Sequence, residues 1–387
     1  GEGCTVELRT SGKKLVRTTS STEKGINHGN LCELGRFCNT YINDGDRLRT
    51  PKIKQNGTWT DVSLDEAISA AAGLKKGGRE TAIYLSGSAS NEEAAVLSGI
   101  AAALGTENVL SFGVDPTAGL FYRLYPELCL KSVDDIRHKD LIVVLGAELK
   151  QYNTNAFVAA RLAGRNGVPV ISADKLTPEI VKKVKAAVSP MFIFGYEPDS
   201  AVLNDAAAVA REAGAQIYIP GMANAYGIGR HIDLNKCAAG PAAVSAKTVL
   251  IFGEDPVGCG NSDAAELLRK SEFSVVFDLY MTETAKLADV VIPLSTAAEN
   301  TGTFTNVFGL TQSFSQALDT EHENRTVLLS LLKATSGKER PDVIPVRQNA
   351  SEIIPSAGRT ANQADVVYAT LIANRPHAGN QNEAYEA

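Results

Sequence analysis

Three of the six cysteines of this chain lie within its first 38 residues, where their thiolates could bind a metal. Cys4 and Cys32 are separated by 27 residues, and Cys38 follows soon after. That spacing does not define a metal site by itself, since two unrelated buried thiols would give the same pattern. The remaining cysteines are scattered over a long chain, which argues against a secreted disulfide framework and favours reduced, cytoplasmic thiols.

Patterns typical of other catalytic or nucleotide sites are missing from the sequence. No Gly-x-Gly-x-x-Gly follows a strand, and Gly227-Ile-Gly229 lacks the third glycine, so an NAD site has little support. The chain has no Walker loop and no Gly-x-Ser-x-Gly elbow. None of its five histidines pairs with a carboxylate at the helical spacing of metal ligands. We therefore expect no catalytic residue in this chain.

The residues around Cys4 and Cys32 resemble the opening of the molybdopterin oxidoreductase family. The resemblance is carried by Gly1–Cys4, Asn27–Phe37, Asp46–Pro51, Gly57–Trp59 and Ser63–Ala67. This family includes formate dehydrogenases and the large iron–sulfur subunit of NADH-quinone oxidoreductase, and the sequence resembles the latter most. Family members bind a [4Fe–4S] cluster through four cysteines. The resemblance implies that Cys4 and Cys32 are the third and fourth ligands, with the other two expected upstream of residue 1.

Two residues near Cys32 depart from the family pattern. Cys38 follows Cys32 too closely to be a family ligand, and we interpret it as a packed thiol. Glu33 stands where catalytic members carry a lysine between the cluster and the pterin. An acid at that position would repel pterin phosphates and lower the potential of the cluster, unless Glu33 is simply solvated.

A second stretch, Thr282–Pro293 with Ala298–Asn306, resembles the family signature around the pterin pocket. The resemblance implies that the cofactor-binding residues are Gly302, Thr303, Thr305 and Asn306. A turn rich in hydroxyls at the end of a strand suits a pterin or a phosphate. The alternative is that this turn only packs against the neighbouring domain. The basic pair that follows in family members is absent from Val307–Thr311.

The family's molybdenum ligand would fall within Asn108–Gly119, which contains no cysteine. Ser111 and Asp115 are the only conceivable substitutes, and an Asp before a Pro is more often a turn residue. Because this ligand, the lysine and the basic pair are all missing, we expect a [4Fe–4S] cluster but no molybdopterin in this chain.

Local patterns predict several elements around these residues. Thr5–Arg9 and Lys14–Thr18 alternate like the two strands of a hairpin, and capping boxes open at Ser63 and Ser90 before two helices. The apolar run Thr81–Ser86 predicts a buried strand, and a further helix is expected around Asn155–Ala163.

The elements that would position these residues follow an α/β pattern. Continuous apolar strands alternate with helices from about residue 80, which predicts doubly wound parallel sheets covered on both faces. Ligands of such sheets bind at the carboxyl ends of the strands. Three strands end in glycine and a nearby acid, at Gly146–Glu148, Gly195–Glu197 and Gly253–Asp255. These ends could be tight turns or parts of a nucleotide-like pocket.

The chain divides by pattern into four segments. We predict a small β-rich iron–sulfur lead-in domain (1–60) and an α/β domain with pterin-pocket-like loops (61–137 plus 250–335). A Rossmann-like α/β domain (138–249) and an extended tail (336–387) complete the division. The family's C-terminal barrel domain is expected to be absent, because no such domain fits after residue 335.

The bulk composition limits the partners of this protein. A net charge of -6 argues against nucleic acid, because phosphate binding needs a basic face. No apolar run approaches the ~20 residues that a membrane span needs. The first residue is Gly rather than Met, so we expect a longer parent chain, and no signal peptide is evident. These features predict a cytoplasmic protein at the periphery of a membrane-bound complex.

The function predicted from the sequence is electron transfer and scaffolding within an NADH-quinone oxidoreductase-like complex. The expected partners are NADH- and flavin-binding subunits and other iron–sulfur subunits. Two alternatives stay open: a catalytic molybdopterin oxidoreductase such as a formate dehydrogenase, and a cluster-free scaffold subunit.

Overall fold

A computed structural model describes residues 2–23, 25–146, 154–196 and 198–338. The predicted tail lies outside these residues beyond 338, as do Glu148 and Glu197. Within the described ranges the strands are β1 Glu7–Ser11, β2 Lys14–Thr19, β3 Lys52–Gln55, β4 Thr58–Asp61, β5 Thr81–Leu85, β6 Asn108–Leu110, β7 Leu141–Leu145, β8 Val170–Ala173, β9 Pro190–Phe194, β10 Gln216–Tyr218, β11 Thr248–Phe252, β12 Phe273–Asp278, β13 Val290–Pro293, β14 Gly302–Thr305 and β15 Thr311–Phe314. The α-helices are α1 Glu33–Phe37, α2 Leu64–Ala71, α3 Asn91–Leu104, α4 Pro116–Leu124, α5 Thr154–Arg165, α6 Pro178–Ala186, α7 Ser200–Ala213, α8 Ala225–Ile228, α9 Leu234–Ala239, α10 Ser262–Lys270, α11 Glu283–Leu287 and α12 Asn324–Ser336.

The lead-in begins with the predicted hairpin, in which β1 and β2 pair antiparallel. Helix α1 follows and is capped by the thiol of Cys32. A small apolar cluster joins this segment to the rest of the protein, because Leu15 and Ile42 pack with Ala298 and Leu318. The lead-in is therefore packed against the chain on both sides of the β14–β15 hairpin.

The larger sheet has seven strands in the order β4-β3-β13-β12-β11-β5-β6. Strands β13, β12, β11, β5 and β6 run parallel, and the antiparallel β3–β4 hairpin adds to one edge. The predicted 1–60 lead-in thus contains most of a hairpin that belongs to this sheet. Every residue of β5 and β11 is buried, as expected for parallel strands covered on both faces.

The smaller sheet has four parallel strands in the order β10-β9-β7-β8. Its strands lie within the predicted 138–249 segment, but the end of that segment packs elsewhere. There the backbone N–H of Asp233 donates to Val109 at the edge of the larger sheet, and Leu234 lies against Gly119 of α4. The α/β class with parallel sheets is confirmed, and one buried core runs through both sheets.

Local capping signals fix the starts of two helices that flank the larger sheet. Ser63 with Glu66 and Ser90 with Glu93 form capping boxes at α2 and α3, as predicted. Both helices pack against α12. Across the described ranges, no helix combines the length and apolar character that a membrane crossing requires.

Candidate functional site

The fold brings Cys4 and Cys32 close enough for the charge of one to affect the other. The pKa of the Cys4 thiol is raised to about 11, chiefly by burial and then by the charges of Glu2 and Cys32, against smaller effects that include a hydrogen bond from Asn155, which lowers it. The Cys32 sulfur accepts a hydrogen bond from the backbone N–H of Gly35 at 3.4 Å. Both cysteines are free thiols.

The two thiols fit half of the ligand set that a [4Fe–4S] cluster needs. Within the part of the chain that the structure describes, no group of three or more His, Cys, Asp or Glu residues could hold a metal ion. Cys38 lies at the end of α1, where it begins a 3₁₀ turn, and Glu33 is exposed in the first turn of α1. The described residues therefore offer Cys4 and Cys32 as a partial iron–sulfur site.

The segment that carries Cys4 is held against the smaller sheet. Asn155, near the start of α5, places its side-chain nitrogen 3.2 Å from the Cys4 sulfur. One carboxylate oxygen of Glu2 accepts hydrogen bonds from the Tyr218 hydroxyl at 2.9 Å and from the Ala156 backbone at 3.3 Å. Helix α5 and strand β10 thus position residues 2–6, which we call the Cys4 loop.

The β14–β15 hairpin holds the same loop from the other side. Gln312 donates a side-chain hydrogen bond to the carbonyl of Gly3 at 2.8 Å and accepts one from Asn306 at 2.9 Å. Gly3 has a φ of +75°, and a Cβ there would lie only 2.1 Å from the Asn306 nitrogen. Only glycine combines this backbone conformation with such a close approach.

The predicted cofactor-binding residues, Gly302, Thr303, Thr305 and Asn306, form a network that reaches α3. The Thr303 hydroxyl donates to Glu92 at 2.8 Å, and Asn91 donates to the hydroxyls of Thr303 and Thr305. The backbone N–H of Thr305 donates to the fully buried Asn224, and a Cβ at Gly302 would press on Glu92. These groups connect α3, the Asn224 loop and the Cys4 loop, and their direct contact with a cofactor stays a prediction.

A cavity of about 500 Å³ lies at the carboxyl ends of the larger sheet. Helix α3 leads from β5 to β6 in one direction, whereas α10 leads from β11 to β12 in the other. The crevice between β5 and β11 is therefore the switch point at which such sheets bind ligands. Its aromatic lining consists of Tyr41, Phe112, Phe252, Tyr280, Phe304 and Phe314.

The cavity is acidic. Its carboxyl groups are those of Glu93, Glu254, Asp255, Asp263 and Asp278. None of the described residues that line it is Lys, Arg or His. Burial raises the pKa of Glu93 and raises that of Asp278 to about 7. The lining therefore favours neutral or cationic groups over phosphates.

Asp278→Asn is expected to remove a specific pH dependence of stability. Because the folded protein holds the Asp278 proton up to about pH 7, it binds this proton more tightly than the unfolded chain does. The parent therefore gains stability from Asp278 in acid and loses it as the pH rises through about 7. Between pH 5 and pH 8, urea unfolding should show a larger decrease in the free energy of unfolding for the parent than for Asp278→Asn.

The exposed Asp263 of the same cavity provides the control for Asp278. Asp263→Asn removes a carboxyl group of the same type and should shift the free energy of unfolding by the same small amount at both pH values. If the stability of Asp278→Asn kept the pH dependence of the parent, protonation of Asp278 would not be linked to folding.

The two conceivable molybdenum ligands are used within the protein. The Ser111 hydroxyl donates to Glu254 at 2.8 Å, and the backbone N–H groups of Phe112 and Gly113 donate to the same carboxylate. Asp115 caps α4 by accepting from the Ala118 backbone at 2.7 Å. Glu254, from one of the predicted strand-end acids, therefore binds the loop that follows β6 and also lines the cavity.

Sequence reasoning missed Asn155, Glu2 and Gln312 as residues that hold the Cys4 loop. The position of Asn155 near the start of a predicted helix was the only available signal, because an asparagine there often bonds outside the helix. Glu2 and Gln312 have no local signal, since their partners lie hundreds of residues away.

Two regions of the chain match models of known families. Residues 1–44 match the molybdopterin oxidoreductase Fe4S4 domain, and residues 194–328 match molybdopterin oxidoreductase. The chain is 27% identical over 191 residues to F420-dependent formate dehydrogenase 2 subunit alpha of Methanococcus maripaludis, covering 47% of this chain and 28% of that protein. It is 26% identical over 229 residues to nitrate reductase of Symbiobacterium thermophilum, covering 55% of this chain and 30% of that protein. The chain thus spans less than a third of these relatives.

Two solved structures share the fold at low sequence identity. Acetylene hydratase from Pelobacter acetylenicus superposes with a TM-score of 0.55 at 14% identity, covering 86% of this chain and 68% of that chain. A chain of the formyltransferase/hydrolase complex from Methylorubrum extorquens superposes with a TM-score of 0.51 at 15% identity, covering 74% of this chain and 98% of that chain. The two structures show that the α/β fold is shared, and the two matched regions include Cys4, Cys32 and the β14–β15 hairpin, so the chain is similar to the molybdopterin oxidoreductase family in both its Fe4S4 segment and its α/β segment.

Proposed function

We propose that this chain is an electron-transfer and structural subunit of a multisubunit oxidoreductase of the NADH-quinone oxidoreductase type. In this role Cys4 and Cys32 supply two ligands of a [4Fe–4S] cluster, and the other two ligands precede residue 1. The observation that carries the proposal is the partial thiol site packed against an α/β body whose cavity is acidic. A bound cluster would supply one-electron transfer, while the protein fixes its place among the partner subunits.

The charge of the cavity supports a body without a working molybdenum site. The dinucleotide form of molybdopterin carries phosphates, which proteins usually bind with Arg, Lys or helix N-termini. Two like charges about 6 Å apart repel by about 3 kcal/mol at an effective dielectric constant of about 20. Glu254 and Asp255 are among the residues that line the cavity, and the described lining offers no basic residue to offset their charge.

Membership of a complex is supported by the extent of the fold. The matched chain of Methylorubrum extorquens belongs to a formyltransferase/hydrolase complex, and 98% of its length corresponds to this architecture. On the resemblance to the large iron–sulfur subunit of NADH-quinone oxidoreductase, we propose partners that hold NADH, flavin and further iron–sulfur clusters, with the assembly on the cytoplasmic side of a membrane.

A catalytic molybdopterin oxidoreductase is the second candidate. It is favoured by the similarity to a formate dehydrogenase alpha subunit and to a nitrate reductase. In that case the acidic cavity would have to be completed by parts of a longer protein.

Metal analysis of the intact complex, purified without oxygen, separates these functions. Our proposal expects iron that depends on Cys4 and Cys32 and no stoichiometric molybdenum or tungsten in the complex. One molybdenum or tungsten per chain, lost when this chain is deleted, would establish the catalytic alternative. A complex whose iron content is unaffected by changes at Cys4 and Cys32 would indicate a cluster-free scaffold.

A further inference from the structure

We propose that Asn155 is a positioning residue that donates a hydrogen bond to the Cys4 sulfur and thereby raises the reduction potential of the cluster. This inference rests on the proposed iron–sulfur function. Asn155 belongs to helix α5, which connects β7 and β8 of the smaller sheet, and it lies 151 residues from Cys4 in the sequence. The inference therefore assigns control of the potential to a residue far from the lead-in.

The geometry of the contact is that of an N–H···S hydrogen bond. The side-chain nitrogen of Asn155 lies 3.2 Å from the Cys4 sulfur, and both residues are partly buried. Water competes less for partly buried groups than for exposed ones, which strengthens a polar contact of this kind.

Neighbouring contacts hold the Asn155 side chain close to the Cys4 sulfur. Ala156, the next residue of α5, donates its backbone N–H to Glu2, and Glu2 also accepts from Tyr218 of β10. The side chain of Asn155 thus contacts Cys4, while the backbone N–H of Ala156 binds Glu2, which lies two residues before Cys4. The two contacts of Glu2 therefore hold the start of the Cys4 loop beside α5 and β10.

Each of the two visible thiols has one N–H donor. Cys32 receives its hydrogen bond from the backbone of Gly35, whereas Cys4 receives one from the side chain of Asn155. Of these two donors, only the side chain can be removed by a substitution.

The direction of the effect follows from charge. Reduction adds an electron to the cluster and increases the negative charge on its sulfur ligands. A hydrogen-bond donor therefore stabilises the reduced state more than the oxidised state, and such donors are among the features that set iron–sulfur potentials. Removing the donor should lower the potential.

The test is a redox titration of the intact complex, monitored by electron paramagnetic resonance, with dithionite supplying the electron. Asn155→Leu keeps the approximate size of the side chain and removes the donor. We expect about a tenfold shift of the reduction equilibrium toward the oxidised cluster, which equals about 59 mV for one electron. Asn155→Asp, which replaces the donor with a carboxylate, should lower the potential further.

Asn166 provides a matched control because it is an exposed asparagine just after the other end of α5. Asn166→Leu should leave the potential unchanged. If both Asn155 variants kept the cluster signal at the parent potential, the role of Asn155 in setting the potential would be overturned, and the proposed iron–sulfur function would stand. Loss of the cluster from both variants would also overturn it and would assign Asn155 to cluster retention. A parent complex without any cluster dependent on Cys4 would overturn the proposed function as well.

Discussion

The Cys32→Ser variant of the intact complex is expected to lose about four iron atoms per copy of this chain, together with the corresponding cubane signal of the reduced protein. Cys32 is placed for ligation because it caps α1 and accepts only a weak backbone hydrogen bond, at 3.4 Å from Gly35. A serine could keep this cap, since serine is a preferred capping residue. Loss of iron would then report the missing sulfur ligand and not a damaged helix.

Cys38 is the matched control for this change. It lies at the other end of the same short helix and is also a partly buried cysteine outside any disulfide. Cys38→Ser should therefore retain the iron and the signal. Equal iron in the Cys32→Ser protein and the parent would contradict our assignment of Cys32, and loss of iron from Cys38→Ser would show that Cys38 is a ligand and not a packed thiol.

The elements that the sequence predicted correctly are those whose signals are local. The capping boxes at Ser63 and Ser90 and the apolar run of β5 each depend on neighbours within a few residues, and the structure contains all three. The order and pairing of the strands within each sheet could not be predicted in this way. Strands of either sheet have the same buried, apolar pattern, and their pairing depends on distant parts of the chain.

The contacts of Gly302–Asn306 could not be predicted from the local sequence. A row of hydroxyl and amide groups at a strand end suggests a ligand, but here Glu92 and Asn91 bind Thr303 from more than 200 residues away. Whether such groups face a ligand or the protein is decided by these long-range partners. The family resemblance implies a cofactor site in this segment, which stays a prediction, whereas the fold shows that the segment braces the Cys4 loop through Gln312.

This bracing implies that the larger sheet and the iron–sulfur segment are mechanically linked. A series of hydrogen bonds runs from Glu92 at the start of α3 through the hairpin to Gly3, next to Cys4. Asn155 connects the smaller sheet to the same loop. The cluster would therefore be fixed to both sheets, as is required of a protein whose task is to hold a redox centre at a constant distance from its partners.

The buried ion pair between Arg47 and Glu299 joins the lead-in to this body, and its loss should be the most destabilising change outside the thiol site. The Arg47 guanidinium is 1% exposed and binds both carboxylate oxygens of Glu299, at 2.5 and 3.1 Å. Although burial acts to raise the pKa of Glu299, hydrogen bonds from Arg47 and Thr296 hold it below its usual value. Arg47→Met would leave this carboxylate buried without its partner.

We expect Arg47→Met to lower the free energy of unfolding by about 3–5 kcal/mol near pH 7, measured by urea unfolding. Arg49 is the control, because it contacts the same carboxylate at 3.4 Å but is 59% exposed. Arg49→Ala should cost less than about 1 kcal/mol. Because Glu299 has a lowered pKa in the folded state, the stability that its ionised form contributes is lost as the pH falls through that pKa. The cost of Arg47→Met should therefore shrink in acid, and a cost that is equal for both arginines, or independent of pH, would show that burial of the pair does not determine its strength.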